Sequence, residues 1–180
     1  PADPLKKGLF FMSEDRKGVG LLLDRSIEMN IAYPAIQIKE EFLKSFGGFL
    51  KYQDNKAIKE NAKKYIETLE IRCMGEEQKV QEKVCLAKAF TMEPELLFVS
   101  EPTRGIDVGA KKLVLDFLKQ YNKEKGVTIV VTSSEVEELR SICDRIAIIN
   151  EGKVAGILPP QADILEFGKY MVGVGGNGND

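Results

Sequence analysis

The 180-residue sequence contains no histidine and no tryptophan. Without an imidazole there is no His-ligated metal, no neutral-pH imidazole base and no Ser-His-Asp or Cys-His triad. An excess of either charge is also lacking. The 26 Lys and Arg and 28 Asp and Glu leave a formal net charge of -2, so a nucleic-acid role would need a local patch. No apolar run approaches the ~20 residues of a membrane-spanning helix, and any membrane contact is expected to be peripheral. The first residues, Pro1-Ala2-Asp3-Pro4-Leu5-Lys6-Lys7, show no secretory-leader pattern. Cysteine is sparse and odd in number: Cys73, Cys85 and Cys143 lie far apart and outside CxxC spacing. Reduced thiols are expected rather than disulfide, metal or redox roles. What is present, 43% hydrophobic and 30% charged residues, is the composition of a soluble globular protein with one core and a small satellite.

Along the chain, Gly8-Leu9-Phe10-Phe11-Met12 reads as a buried strand entering the polar loop Ser13 to Gly18. Residues 24 to 92 read as mostly helical. Asn55 is the expected cap of a helix whose Ile58, Ala62, Tyr65, Ile66 and Leu69 share one face. A second helix is expected over Lys83 to Thr91, with Val84, Leu86, Ala87 and Phe90 inward, and Pro34 and Gly47-Gly48 are expected to break the earlier part. Lys56, Lys59, Lys63 and Lys64, interleaved with Glu60 and Glu67, read as a solvated helix face rather than a nucleic-acid patch.

After Pro94 the pattern changes. Leu96-Leu97-Phe98-Val99 reads as a parallel strand buried on both faces. A helix follows from Val108, capped by Asp107 and ended by Gly126, and then the strand Thr128 to Thr132. Ser134 to Glu137 forms the pattern of a capping box for a helix through Cys143. Arg145 to Ile149 and Lys153 to Leu158 read as two strands joined at Asn150-Glu151-Gly152. This alternation predicts an α/β fold with parallel strands. The tail from Gly173 to Asp180 is expected to be disordered.

Ligands of open α/β sheets sit at the carboxyl ends of strands. Two strand ends carry polar groups, Ser100-Glu101-Pro102-Thr103-Arg104-Gly105-Ile106-Asp107 and Thr132-Ser133-Ser134-Glu135. Glu101, placed beside a bound anion, would serve as a general base. Spacing alone favours reading Glu101-Pro102 as a turn and Asp107 as a helix cap.

The run from Leu96 to Lys111 (LLFVSEPTRGIDVGAK) closely resembles the Walker B motif and D-loop of ATP-binding cassette (ABC) proteins, in the form found in the second cassette of simple-sugar and nucleoside importers. Phe11 to Gly18 resembles the Q-loop region of those cassettes, Ser26 to Ile31 the segment after it, Thr132 to Leu139 their switch region, and Asp144 to Lys153 the strand pair behind it. The resemblance implies an incomplete P-loop NTPase core with a mainly parallel sheet and an inserted α-helical subdomain. It divides the chain into a Q-loop strand and loop (1–23), a helical subdomain docking on a membrane partner (24–92), the Walker B, D-loop and switch core (93–168) and a disordered tail (169–180). It implies that Glu101 polarises the attacking water and that Ser100 stands where most members hold Mg²⁺ through water with an aspartate. Gly105 and Asp107 would form the D-loop across a dimer interface. Ser133 would fill the switch position at the γ-phosphate, and Glu14 the Q-loop position. The implied cofactors are ATP and Mg²⁺ in the full-length subunit. The implied partners are transmembrane permease subunits and the N-terminal cassette of the same subunit, at the inner face of the membrane.

Two motifs of the family are missing. No GxxxxGK[ST] phosphate loop occurs, so the chain is expected to be a C-terminal piece of a longer subunit, inactive alone. The glycine-rich signature is also absent: its two flanks, Glu76 to Glu82 and Lys83 to Lys88, abut. The undecayed flanks favour a segment missing from this sequence over true loss, and a true loss would shift the start of the helix at Lys83. Ser100 offers Mg²⁺ a neutral hydroxyl where a hard cation prefers carboxylate. A non-catalytic scaffold or regulatory module is the competing reading. Exposed sheet edges would make a homodimer of the piece a reasonable expectation.

Overall fold

The computed structural model describes residues 2–15, 18, 20–71 and 77–173. Contacts divide the chain into two units, residues 1–132 and 133–180.

The first unit is built on three parallel strands, β1 (Leu9–Met12), β4 (Leu96–Ser100) and β5 (Thr128–Thr132), in the order β1-β4-β5. Phe10 pairs with Leu97, and Leu97 in turn with Ile129. One sheet face carries Phe10, Met12, Leu97 and Val99, each at most 7% exposed. They join a core with α2 (Ile27–Lys39), α3 (Asn55–Thr68), α4 (Glu77–Thr91) and α5 (Val108–Lys125). Phe90 of α4 is its aromatic centre, with ring centroids of Phe117 and Tyr121 at 4.9 and 4.1 Å. The other face is only half covered: Leu96 and Phe98 are partly exposed and Phe11 is 60% exposed, so β4 is not buried on both sides as its composition predicts. A short helix, α1 (Ala2–Lys6), precedes β1.

Several local expectations are corrected. Pro34 does not break a helix; it lies inside α2. Proline loses one backbone hydrogen bond there, but Ile31 and Ala32 before it and Ala35 and Ile36 after it are buried, and that packing carries the helix through. Gly47 and Gly48 do break the helical stretch, though they directly end no helix. They turn, at φ 64° and 81°, an antiparallel hairpin of β2 (Leu43–Phe46) and β3 (Leu50–Gln53) within the stretch read as mostly helical. The cap of α3 is Asp54, which accepts from the backbone N–H of Lys56 and Ala57, with Asn55 one residue inside. α4 begins at Glu77, six residues before Lys83, so the chain passes Glu82-Lys83 as one unbroken helix. With no glycine at the junction, Glu, Gln, Lys and Val extend the helix without a break.

In the second unit, α6 (Val136–Ile142) leads to the antiparallel pair β6 (Ile146–Asn150) and β7 (Lys153–Leu158), and α7 (Ile164–Met171) closes it. Ile146, Ile148, Leu158 and Phe167 form its core. The β6–β7 turn puts Glu151 and Gly152 at positive φ, the backbone twist that a tight hairpin requires. No capping box forms at α6: Glu135 is the cap residue and makes no side-chain cap hydrogen bond. α7 was unexpected and runs through Met171, into the segment read as tail; residues 174–180 lie outside the described ones. Cys85 is buried and Cys143 half-buried, both reduced, while Cys73 lies outside the described residues. Among the described residues, no helix is long and apolar enough to cross a membrane.

Candidate functional site

Parallel strands β1, β4 and β5 point their carboxyl ends the same way, so the loops that follow them share one edge of the sheet. Glu101 leaves β4 at φ 46°, a left-handed conformation that costs a non-glycine residue about 1–2 kcal/mol. Among the described residues, five other non-glycine residues have positive φ. Four of them, Glu40, Glu70, Glu93 and Glu151, follow helices or sit in a hairpin turn, and Phe42 precedes β2. Glu101 alone among them follows a central strand. Its backbone is fixed there because its N–H donates to the Thr132 carbonyl (2.8 Å) while the Thr132 hydroxyl donates to Ser100 Oγ (3.3 Å). Pro102 and Thr103 are buried beneath the loop, and Gly105 at φ 79° turns it toward α5. Asp107 accepts from the Ala110 N–H at 3.0 Å, so in this chain its carboxylate caps α5.

Glu14, on the loop after β1, is brought to this edge by an ion pair with Arg104, 2.9 Å from Nη1 to Oε2. Ser133 belongs to the second unit. Its hydroxyl donates to Glu138 Oε2 (3.2 Å) and accepts in turn from the Glu135 N–H (3.0 Å). Glu138 is 8% exposed. Sequence reasoning missed Glu138, Arg104 and two further residues. Asn30, 7% exposed, accepts from the Leu22 N–H and donates to the carbonyls of Leu22, Arg25 and Ser26. Lys88 of α4 donates to the Gly20 carbonyl at 2.6 Å. All four stood in stretches that resemble the family, and only their partners were unreadable.

Chemically, this edge offers one strand-end carboxylate among neutral hydroxyls. Among the described residues, no cluster of three or more His, Cys, Asp or Glu could cage a metal ion. Ser100 carries no charge for a divalent cation, and the sequence has no glycine-rich lysine loop for phosphates. The residues present include a strand-end carboxylate but no phosphate cradle, so they do not by themselves fit a magnesium nucleotide.

The fold and the sequence now meet known proteins. The chain superposes on the dimeric ATP-binding cassette MJ0796, solved in a post-hydrolysis state with ADP and phosphate. The TM-score is 0.70 at 17% identity, over 88% of this chain and 65% of that one. It is 39% identical over 165 residues to the ribose import ATP-binding protein RbsA of Lactococcus lactis subsp. cremoris, covering 88% of this chain and 32% of the relative. The chain is a partial ATP-binding cassette. No family model matches it. RbsA of Oceanobacillus iheyensis matches at 37% identity over 190 positions, covering 100% of this chain and 36% of the relative. Against 180 residues, 190 positions leave at least ten of the relative's with no counterpart in this cassette. The chain thus spans about a third of the length of these relatives, and they are sugar-import ATP-binding proteins.

Proposed function

We propose that this cassette serves the ATP-hydrolysing subunit of a sugar importer and supplies its strand-end base. The observation that carries the reading is Glu101 itself: a glutamate at the carboxyl edge of a parallel sheet, its backbone at positive φ and its N–H held by the neighbouring strand β5. In the whole subunit, ATP and Mg²⁺ would meet this edge with the phosphate cradle supplied by other residues. Glu101 would orient the attacking water. Ser100 and Thr132 would hydrogen-bond the metal's water shell more weakly than a carboxylate does, and Ser133 would face the γ-phosphate. Glu14 would sense the nucleotide from the Q-loop position, and the loop through Gly105 and Asp107 would meet the N-terminal cassette of the same subunit. The stretch 24–92 would dock on transmembrane permease subunits at the inner face of the membrane.

A chimera tests this, with the chain replacing the matching third of the Lactococcus ribose import protein. Mg²⁺-dependent ATPase activity that falls about 10²–10⁴-fold in Glu101→Gln supports the reading. Activity indifferent to that change, or a folded chimera that hydrolyses nothing, overturns it. The second outcome would favour a non-catalytic, cassette-like interaction module, a reading supported by neutral Ser100 and by the unbroken helix at Glu82-Lys83.

A further inference from the structure

The β2–β3 hairpin stands apart from the packing that forms the rest of the first unit. Its base is rooted: Leu43 packs against Ala32, Ile36 and Ile58 of α2 and α3, and the Asp54 N–H donates to the Phe42 carbonyl at 2.7 Å. From Lys44 to Gln53 every residue is exposed. A two-stranded hairpin is marginal in water without a face to pack. This one nevertheless holds Phe46, Phe49 and Leu50 at 74%, 83% and 56% exposure, where the chain offers them no cover.

The residues are graded from tip to base. Gly47 and Gly48 turn the chain, and the Phe49 ring lies over Gly47, where a Cβ would stand 3.2 Å from the ring. Phe46 then pairs with Leu50, Ser45 with Lys51, and Lys44 with Tyr52. The run from Ser45 to Leu50 carries no charge, and the rungs below it add two ammoniums and a phenol. At ~3.4 Å per residue, the Lys44–Tyr52 rung lies ~7 Å below the Phe46–Leu50 rung. An apolar surface resting between lipid headgroups and acyl chains is buried by ~5–10 Å. Lysine stems and a phenol are the side chains suited to the polar level just above it.

Charge points the same way. Lys44 pairs with Asp54 at 2.9 Å and Lys51 with Glu40 at 2.5 Å, but both pairs are exposed and weak enough to yield to a phosphate surface. Across β2, β3 and α3, residues 43–68, six lysines stand against Asp54, Glu60 and Glu67. That net charge of +3 sits in a chain whose total is -2.

We propose that the β2–β3 hairpin is a membrane-surface anchor. Its Phe46, Phe49 and Leu50 tip enters the interface of an anionic bilayer, and the lysines of the hairpin and of α3 draw it to the headgroup phosphates. A second copy of the chain is a poorer occupant, because a symmetric contact through the tips would bring two segments of +3 together. The anchor rests on this chain's own surface and asks nothing of ATP hydrolysis.

The sequence contains no tryptophan, so Phe49→Trp gives the full chain one reporter at the tip, and Phe11→Trp one on the bare face of the sheet. Phosphatidylcholine vesicles carrying phosphatidylglycerol are expected to shift the Phe49→Trp emission to shorter wavelength, with quenching by brominated acyl chains. The Phe11→Trp emission should not move. In co-sedimentation with the same vesicles, Phe46→Ser and Phe49→Ser should each weaken binding about tenfold, the low end for withdrawing a phenylalanine from water. Lys51→Gln and Lys59→Gln should each weaken it about fivefold, and added salt should release the chain. Phe11→Ser should leave binding unchanged, which separates the anchor from general adhesion of exposed apolar surface. An unshifted Phe49→Trp emission, an equal loss in Phe11→Ser, or equal affinity for vesicles of phosphatidylcholine alone would overturn the proposal. So would a dimer that Phe46→Ser abolishes in a chain that binds no vesicle. The sedimentation series needs no reporter and decides alone if the tryptophan variants misfold.

Discussion

The two faces of the β1-β4-β5 sheet carry the same kind of residue and have different fates. On one, Phe10, Met12, Leu97 and Val99 are at most 7% exposed beneath the helices; on the other, Phe11 is 60% and Val130 39% exposed. Period-2 alternation sends neighbours such as Phe10 and Phe11 to opposite faces, and a sheet with one wet face alternates apolar with polar residues. Here the wet face is apolar too. Its composition is that of a sheet covered on both sides, while the described residues supply only one cover. That asymmetry agrees with a chain spanning about a third of its curated relatives' length. Burial in this chain, rather than residue type, should therefore set the sensitivity of each position.

The largest test of this contrast pairs Leu97→Ala with Phe11→Ala in the same chain. Leu97 is fully buried, so its truncation leaves a cavity and should cost about 2–5 kcal/mol in urea unfolding. Phe11 loses surface that is already wet and should cost within about 0.5 kcal/mol. Equal losses would show the second face to be covered in solution, for example by another copy of the chain.

How far the covered face was legible follows from the kind of signal each residue carries. Burial of Leu97, Val114, Phe90 and Leu118 was readable because strand and helix periods place them inward in one dimension. The strand-end residues Ser100, Glu101 and Ser133 were readable through motif resemblance. The bare face was not, since LLFV reads as doubly buried whether or not its second cover lies in the chain. Pro34 misled for a related reason: proline marks a break locally, while packing of Ile31 and Ala35 is a tertiary effect. Lys88, Arg104 and Glu138 pair across 68, 90 and 5 residues respectively, and the longer separations leave no local trace. The S-S-E-x-x-E spacing was the one available signal for Glu138.

A smaller effect distinguishes the covered face by pH. Tyr65 packs against Phe90, and burial, helped by the Glu93 charge, pushes its phenol from 10 up to about 12. The folded state therefore keeps the phenol neutral where the unfolded chain ionises it. That stability is fully present below pH 10 and is lost as pH rises toward about 12, by up to about 2 kcal/mol. Tyr121 is shifted in the same direction, while half-buried Lys88 acts oppositely, its lowered value adding stability as pH rises toward 10.5. The informative quantity is thus the difference between wild type and Tyr65→Phe, measured by unfolding from pH 9 to 12. The variant should lose less stability over that range, and parallel curves would mean that Tyr65 is solvated.

The smallest effect lies at the start of the helix that forms part of the cover. Asp107 accepts from the Ala110 N–H, and α5 then brings Val114, Leu118 and Tyr121 onto the core. Asp107→Ala removes an N-cap and should cost about 1 kcal/mol, whereas Asp107→Asn keeps a capping oxygen and should cost a few tenths. Those values describe the isolated chain, where the carboxylate serves its own helix. In the chimera with the ribose import protein, a role at the cassette interface would give Asp107→Asn an ATPase loss out of proportion to its stability cost, because the amide keeps the cap and discards the charge. Equal small losses in both measurements would assign Asp107 to the covered face alone.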